Sequence, residues 1–464
     1  MSEVPTAEKD DNDECKSLEK EPYYHGMLPR EDLTFVLEEV GDFIIRMTET
    51  KRGEPWEAVI SVRTTKEKDP QAFRHILLRR QKQADKTIQW QAIEPKQYPS
   101  IPALVEDYMK SKRPINPEVE SSVLLRGVGK QSWEFLHEEI TIKDLIGAGQ
   151  FGEVRKGELK IDGKIMEVAI KSAKVPTDDT KLEGAKEKVK ELMHEARLMR
   201  HFKHVNVVTA YGVAVRKQPL MIIIELVRGG SLWRTLTSHK GQISEQEKTV
   251  NMALGAARGL EYLHLKNCIH RDVAARNFLY TDEKVTKITD FGLSRKGPIY
   301  QMKKSMKVPM RWTAPESMVA FQYTFSTDIF AFSVFLWEVY SDGEEPYKGK
   351  TSLEVKRMIS CGERMEQPED CPDEIFEIIE KGWHQSPAKR GSMGEIVSAI
   401  EDFVDECDDV TQTTVQGDAG KSSRSRRKKK HHKHRKKHRK KKHRRSSRYS
   451  HRKEKKEKHA STVA

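Results

Sequence analysis

The sequence predicts an α+β protein made of two packed units between polar tails. Three observations carry that prediction. Along residues 22–407 apolar residues alternate between helical spacing and short strand-like runs, the pattern of mixed helices and strands. Only Gly127 to Gln131 separate the last expected strand of the first unit from the run Glu138 to Leu145 that opens the second, so the two units should touch. From residue 408 the chain turns polar and then basic, with 23 Lys or Arg between Lys421 and His459 against Glu454 and Glu457 alone. The net charge of +13 therefore belongs to the tail, and the remainder is mildly acidic. Residues 408–464 lack the apolar content to bury a core and are expected to be disordered.

In chain order, residues 1–21 are acidic and polar and are also expected to be disordered. They hold no apolar stretch of the kind that directs secretion. The first unit, residues 22–128, opens at Tyr23-Tyr24-His25-Gly26. Pro29 suits a first helical turn, and Leu33, Val36, Leu37 and Val40 recur at helical spacing. Strands are predicted at Phe43 to Arg46, Ala58 to Val62 and His75 to Leu78. A second helix follows from Ile101, Leu104, Val105 and Tyr108, and a closing strand from Val123 to Leu125.

In the second unit, residues 133–407, Val154 to Leu159 and Glu167 to Lys171 flank an Asp162-Gly163 turn and read as a hairpin. Val189, Leu192, Met193, Ala196 and Met199 mark the inward face of a helix. The longest apolar runs, such as Ile329 to Trp337, fall well short of the roughly 18 residues needed to span a bilayer. Five cysteines without metal-ligand spacing suit a reduced, intracellular protein.

The strings that carry chemistry lie in the second unit. His270-Arg271-Asp272-Val273-Ala274-Ala275-Arg276-Asn277 is followed thirteen positions later by Asp290-Phe291-Gly292. Phosphoryl transfer needs one carboxylate to align the acceptor hydroxyl and oxygen ligands to hold Mg2+ against the phosphates. Asp272 answers the first need, Asn277 and Asp290 the second, as in a protein-kinase catalytic loop. Upstream, Gly147-Ala148-Gly149-Gln150-Phe151-Gly152-Glu153-Val154 has the Gly-x-Gly-x-x-Gly-x-Val pattern. Such a string also opens dinucleotide-binding folds, but those need a helix directly afterwards, whereas strands follow here. Val168-Ala169-Ile170-Lys171 places a lysine at the end of a buried strand, where it can bind the α and β phosphates of ATP. Glu195 shares the inward face of the following helix, and a buried carboxylate wants a cation, for which Lys171 is the natural partner.

Ala274-Ala275-Arg276 resembles the catalytic loop of protein tyrosine kinases, and so does Val308-Pro309-Met310-Arg311-Trp312 before Thr313-Ala314-Pro315-Glu316. The resemblance implies tyrosine as acceptor and Arg276 as part of the catalytic set. It also implies nucleotide contacts from Ile146, Gly147, Gly149, Phe151, Gly152, Val154, Ala169, Lys171, Glu225, Val227 and Leu279. Glu316 should pair with Arg390, and Asp328 should brace the catalytic loop from a central helix. Tyr300 is the one tyrosine between Asp290 and Glu316, and its phosphorylation, with Arg271 and Arg295 as cationic partners, could order that loop.

In the first unit, Phe43-Ile44-Ile45-Arg46 sets an arginine in an apolar strand. A buried guanidinium should meet an anion, and its fork suits two phosphate oxygens. The segment resembles the Phe-Leu-Val-Arg motif of Src-homology-2 domains, which bind phosphotyrosine, and Tyr24-His25-Gly26 resembles their opening Trp-Tyr-His-Gly. Arg30 and His75 then flank the phosphate. Met47-Thr48 departs from the usual Glu-Ser, but Thr48 keeps a hydroxyl donor.

A Src-homology-2 domain joined by so short a linker to a tyrosine kinase resembles the Fes and Fer family of non-receptor kinases, over about Tyr23 to Cys407. The likeness is to truncated, nematode Fer-like kinases without the family's membrane-bending region. It implies an α+β fold in which a small Src-homology-2 domain precedes a bilobal protein kinase domain, with ATP and Mg2+ as cofactors and tyrosine-containing proteins as substrates. Phosphotyrosine proteins would bind through residues 22–128, and the chain would be cytoplasmic. Tail residues 421–458 could bind an anionic membrane surface, bind nucleic acid, act as a nuclear import signal or stay solvated without a partner. The rival reading is a catalytically weak phosphotyrosine-binding scaffold tethered by that tail.

Overall fold

The computed structural model describes residues 18–48, 56–67, 69–85, 87–149, 152–173, 185–302 and 308–415. Phe151, most of the polar amino terminus and the tail 421–458 lie outside these residues. The chain divides into two compact units, residues 1–400 and 401–464. The second is described only as far as residue 415, where it is helical.

Within residues 1–400 there are two main sheets, and the architecture is α+β. In the first sheet, strands Asp42–Thr48, Glu57–Arg63 and Phe73–Leu77 pair antiparallel, and Arg126–Gly127 adds in parallel at the far edge. Phe43, Ile45, Ile60 and Val62 point into a core shared with Tyr23, Tyr24 and the helix Ile101–Ser111. That helix forms where expected because Ser100 accepts the Ala103 amide as an N-cap. Ile101, Leu104, Val105 and Tyr108 supply its buried face.

Three details differ from the sequence expectation. Leu18, ahead of Tyr23, is already buried in this core. The segment after Pro29 is a 3-10 turn, Arg30–Phe35, that stops short of Val40. Asp42 is the cause, because its Oδ2 accepts the amides of Glu38 and Glu39 and turns the chain into the first strand. The closing strand lies at Arg126–Gly127 instead of Val123 to Leu125, since the Gly41 carbonyl takes the Leu125 and Arg126 amides and sets the register.

The second sheet has the spatial order Ala210–Ala214, Leu220–Glu225, Lys164–Ala173, Gly152–Ile161, Ile140–Gly149, all antiparallel. Its hairpin turns at Asp162 and Gly163, with φ 49° and 78°, the two left-handed positions that suit the strand twist. Helix Ala185–Met199 packs Val189, Leu192, Met193, Ala196 and Met199 inward, with Glu195 among them. Below the sheet lies a helical region around Phe325–Tyr340. That helix is buried nearly all round, through Ile329, Phe330, Phe332, Phe335, Leu336 and Val339, as a helix without a polar face must be. No helix among the described residues is long and apolar enough to cross a membrane.

The segment that precedes the amino-terminal sheet packs against the second sheet and its helix Ala185–Met199. The Met27 amide donates to the Val215 carbonyl at 2.9 Å. Gly26 lies so close that a Cβ there would stand 2.2 Å from that same oxygen. Asp32, buried, accepts Nε and Nη2 of Arg197 at 2.9 Å each. Arg200, 3.5 Å from the same carboxylate, lies over the Trp133 ring at 4.1 Å. His25 bridges Glu134 at 2.8 Å and the Val128 carbonyl at 2.9 Å.

Candidate functional site

Lys171 lies two residues before the end of its strand, Lys164–Ala173, in register with Ile222 and Val154. Its Nζ donates to both oxygens of Glu195, at 2.8 and 2.7 Å, and to Asp290 Oδ1 at 3.1 Å. Burial alone would lower the lysine, but the two carboxylates outweigh it and hold the ammonium above its ordinary value. Burial likewise opposes ionisation of Asp290, yet Lys171 holds that carboxyl below the usual range. Asp290 has φ 62°, a conformation costly for a residue with a Cβ and typical of functional turns.

The catalytic-loop residues gather around Asp272. Arg276 donates to its Oδ1, and Asn277 Nδ2 donates to its Oδ2 at 2.7 Å and its carbonyl at 2.8 Å. The Thr289 amide donates to the Asn277 carbonyl at 2.9 Å, which joins this loop to the Asp290 turn. Asp328 accepts the His270 and Arg271 amides at 2.7 and 2.9 Å from the central helix. Arg390, fully buried, forms a two-bond pair with Glu316 at 2.6 and 2.8 Å.

Of the nucleotide-contact candidates, Ile146, Gly147, Gly149, Gly152, Val154, Ala169, Lys171 and Glu225 lie on strands of the second sheet, Val227 lies just beyond one of them, and Leu279 is in the separate strand Phe278–Tyr280. Gly147 pairs with Val154 and Gly149 with Gly152, while Phe151 at the tip lies outside the described residues. Ile146 is exposed, Ala169 and Val227 are buried, and Leu279 is half-buried. The Glu225 carboxylate is engaged by Lys287 at 2.9 Å and the Thr209 amide at 3.1 Å, so its side chain is not available to a nucleotide. For Mg2+ the donor set fits. Asn277 uses its amide nitrogen on Asp272 and keeps an oxygen, and Asp290 is an ionised carboxylate. Such a pair suits a hard cation completed by phosphate and water. Among the described residues no cluster of three or more His, Cys, Asp or Glu forms a cage.

Tyr300 sits in the strand Ile299–Gln301 opposite Tyr323. The guanidinium carbons of Arg271 and Arg295 lie 4.5 and 5.2 Å from its ring centre.

In the first sheet, Arg46 is buried and donates from Nε to Ser61 Oγ at 3.0 Å. Burial pushes it down to about 10, and Arg30 adds to the effect. Ser61 is in turn 3.1 Å from His75 Nδ1. Burial and the charges of Arg46 and Arg30 push His75 down to about 4, so it is neutral near pH 7. No carboxylate among the described residues forms an ion pair with Arg46. Thr48 is half-buried at the end of the same strand. The sequence reading missed Ser61, which the strand pairing of Ile44 with Ser61 and Ser61 with His75 brings between Arg46 and His75.

It also missed Glu338, the buried carboxylate whose Oε2 accepts the Ala275 amide at 3.0 Å and Trp312 Nε1 at 2.9 Å. An acid directly after the apolar run Ile329 to Trp337 was the available signal.

A two-lobed catalytic fold with these groups gathered defines a protein kinase. Residues 140–400 match the family described as protein tyrosine and serine/threonine kinase. Fer-related kinase 1 of Caenorhabditis elegans is 34% identical over 403 residues, covering 86% of this chain and 98% of that protein. The Fps transforming protein of avian sarcoma virus (strain PRCII) is 35% identical over 82% of this chain and 67% of its own length. Human tyrosine-protein kinase Fer is 34% identical over 82% of this chain, which spans only 44% of Fer. The chain belongs to the Fes/Fer family of protein tyrosine kinases.

Proposed function

We propose that this chain transfers the γ-phosphoryl group of ATP to tyrosine in protein substrates, in the cytoplasm, and that residues 22–128 form a Src-homology-2 domain that binds phosphotyrosine proteins. The observation that carries the catalytic part is Asp272 held on one oxygen by Arg276 and on the other by Asn277, in a loop bonded to the Asp290 turn and its Lys171–Glu195 pair.

In this reading the glycine loop Gly147 to Gly152 covers the phosphates with main-chain amides, and Lys171 binds the α and β phosphates while Glu195 keeps it aimed. Mg2+, held by Asn277 and Asp290, would neutralise charge on the phosphates. Asp272 orients the phenolic hydroxyl and accepts its proton as the oxygen attacks. Arg276 and Asn277 fix the rotation of that carboxylate, so little reorganisation is needed at the moment of transfer. A catalytically silent scaffold is disfavoured, because Lys171, Glu195, Asp272, Asn277 and Asp290 are all present, Lys171 bonded to Glu195 and Asp290 and Asn277 to Asp272.

The phosphotyrosine reading rests on Arg46, a buried guanidinium that pairs with no carboxylate at contact distance among the described residues, beside Ser61 and His75 and with Arg30 and Glu31 near enough to act on it. The test of the whole is ATP-dependent labelling of a mixed tyrosine and serine peptide library by the full chain, with Asp272→Asn as control. Tyrosine labelling that vanishes in the control supports the reading, and labelling of serine alone refutes it.

A further inference from the structure

Asp328 and Glu338 stand ten residues apart on the same buried helix and hold opposite ends of the catalytic loop. Asp328 takes the His270 and Arg271 amides, and Glu338 takes the Ala275 amide. Glu338 differs in one respect. The same Oε2 also accepts the indole N–H of Trp312, in the 3-10 turn Met310–Trp312 that precedes Pro315. Arg276 lies over the Trp312 ring, its guanidinium carbon 4.4 Å from the centroid, and donates to Asp272.

Arg276 has a side chain 38% exposed, so its ion pair with Asp272 needs support that solvent does not supply. The stack on Trp312 gives that support, as a cation held over an indole face. What fixes the indole is Glu338. A carboxylate buried in this way costs desolvation energy that an apolar residue would not, and burial pushes it up to about 7.

We propose that Glu338 is a positioning residue for the acceptor side of the site: through the Ala275 amide and the Trp312 indole it holds the Arg276–Trp312 stack that aims Asp272 at an incoming phenol. This rests on the tyrosine-kinase reading above. Glu338 touches neither of the groups assigned to ATP, Lys171 and Asp290, among its hydrogen bonds. Its loss should therefore appear in peptide phosphorylation and not in nucleotide binding.

The experiment uses the full chain, with kcat and KM measured for a tyrosine peptide at saturating ATP. Affinity for trinitrophenyl-ATP is measured separately without peptide. Glu338→Ala leaves two buried donors without an acceptor and should lower kcat/KM for peptide by about 30-fold or more, with nucleotide affinity within about twofold. Glu338→Gln keeps an oxygen at the same reach and should recover most of the loss. Trp312→Phe keeps a ring for Arg276 but removes the indole N–H, so it should fall in the same parameter. The Glu338→Ala, Trp312→Phe double variant should lose no more than Glu338→Ala alone.

An unchanged kcat/KM in Glu338→Ala, a parallel loss of nucleotide affinity, or additive losses in the double variant would each overturn the proposal. Should Glu338→Ala fail to fold, an unchanged kcat/KM in Trp312→Phe overturns it instead. If the unsubstituted chain labels no tyrosine peptide, the kinase reading falls as well, which separates the two failures.

Discussion

Asp32 and Arg197, 165 residues apart, form a two-bond ion pair at 2.9 Å on each arm, with the aspartate almost fully buried. Arg197 belongs to the helix that carries Glu195, so the 3-10 turn Arg30–Phe35 is fastened to the element that aims Lys171. Arg200 and Trp133 extend the contact. Because Glu195 must stay turned inward for Lys171 to be held, anything that steadies this helix steadies the nucleotide site.

Asp32→Asn should therefore lower kcat on an unprimed tyrosine peptide by about fivefold or more, the usual span of coupling between distinct sites. Phosphotyrosine-peptide affinity should stay unchanged, since Asp32 is not one of the pocket residues. Calorimetric titration beside a rate assay checks both, and an unaltered kcat would mean that the pair is only adhesive.

Arg46→Ala should weaken binding of a phosphotyrosine peptide by about 100-fold, because two charge-assisted bonds from a buried guanidinium are lost together. Arg46→Lys should restore little, since an ammonium cannot reproduce the planar fork. Fluorescence anisotropy with a labelled phosphopeptide measures this. If Arg46 binding also signals through Asp32, activity on unprimed peptide falls in Arg46→Ala as well.

The chemistry was legible in the sequence because it resides in short local strings. The loop His270 to Asn277, the Asp290 turn and the glycine loop need no knowledge of tertiary contacts, and Glu195 could be placed by the inward face of its own helix. Arg46 could be found because a charge interrupts an apolar strand. Other features depend on partners far along the chain. The 3-10 turn at Arg30–Phe35 ends where the Asp42 carboxylate captures two amides, and the closing strand takes its register from Gly41, more than 80 residues upstream. Ser61 comes to Arg46 only through strand pairing. Glu338 interrupts an apolar helix much as Arg46 interrupts a strand, but its partners, Ala275 and Trp312, are separated from it and from each other.

Glu338 also gives a pH prediction. Burial pushes its carboxyl from 4.5 up to about 7, against the pull of Trp312 and Ala275. The folded chain thus keeps this proton to higher pH than the unfolded chain. Stability from this group is greatest in acid and falls as pH rises from about 4.5 to 7. Glu338→Gln cannot ionise, so its melting temperature relative to the unsubstituted chain should be higher at pH 8 than at pH 5. A difference that does not change with pH would show that Glu338 titrates alike in both states.

Asp272, held by Arg276 and Asn277, is the group proposed to receive the phenolic proton. Asp272→Asn should cut the rate of tyrosine phosphorylation by about 100-fold or more, with trinitrophenyl-ATP affinity unchanged. A variant that labels tyrosine peptides as fast as the original chain would contradict the account.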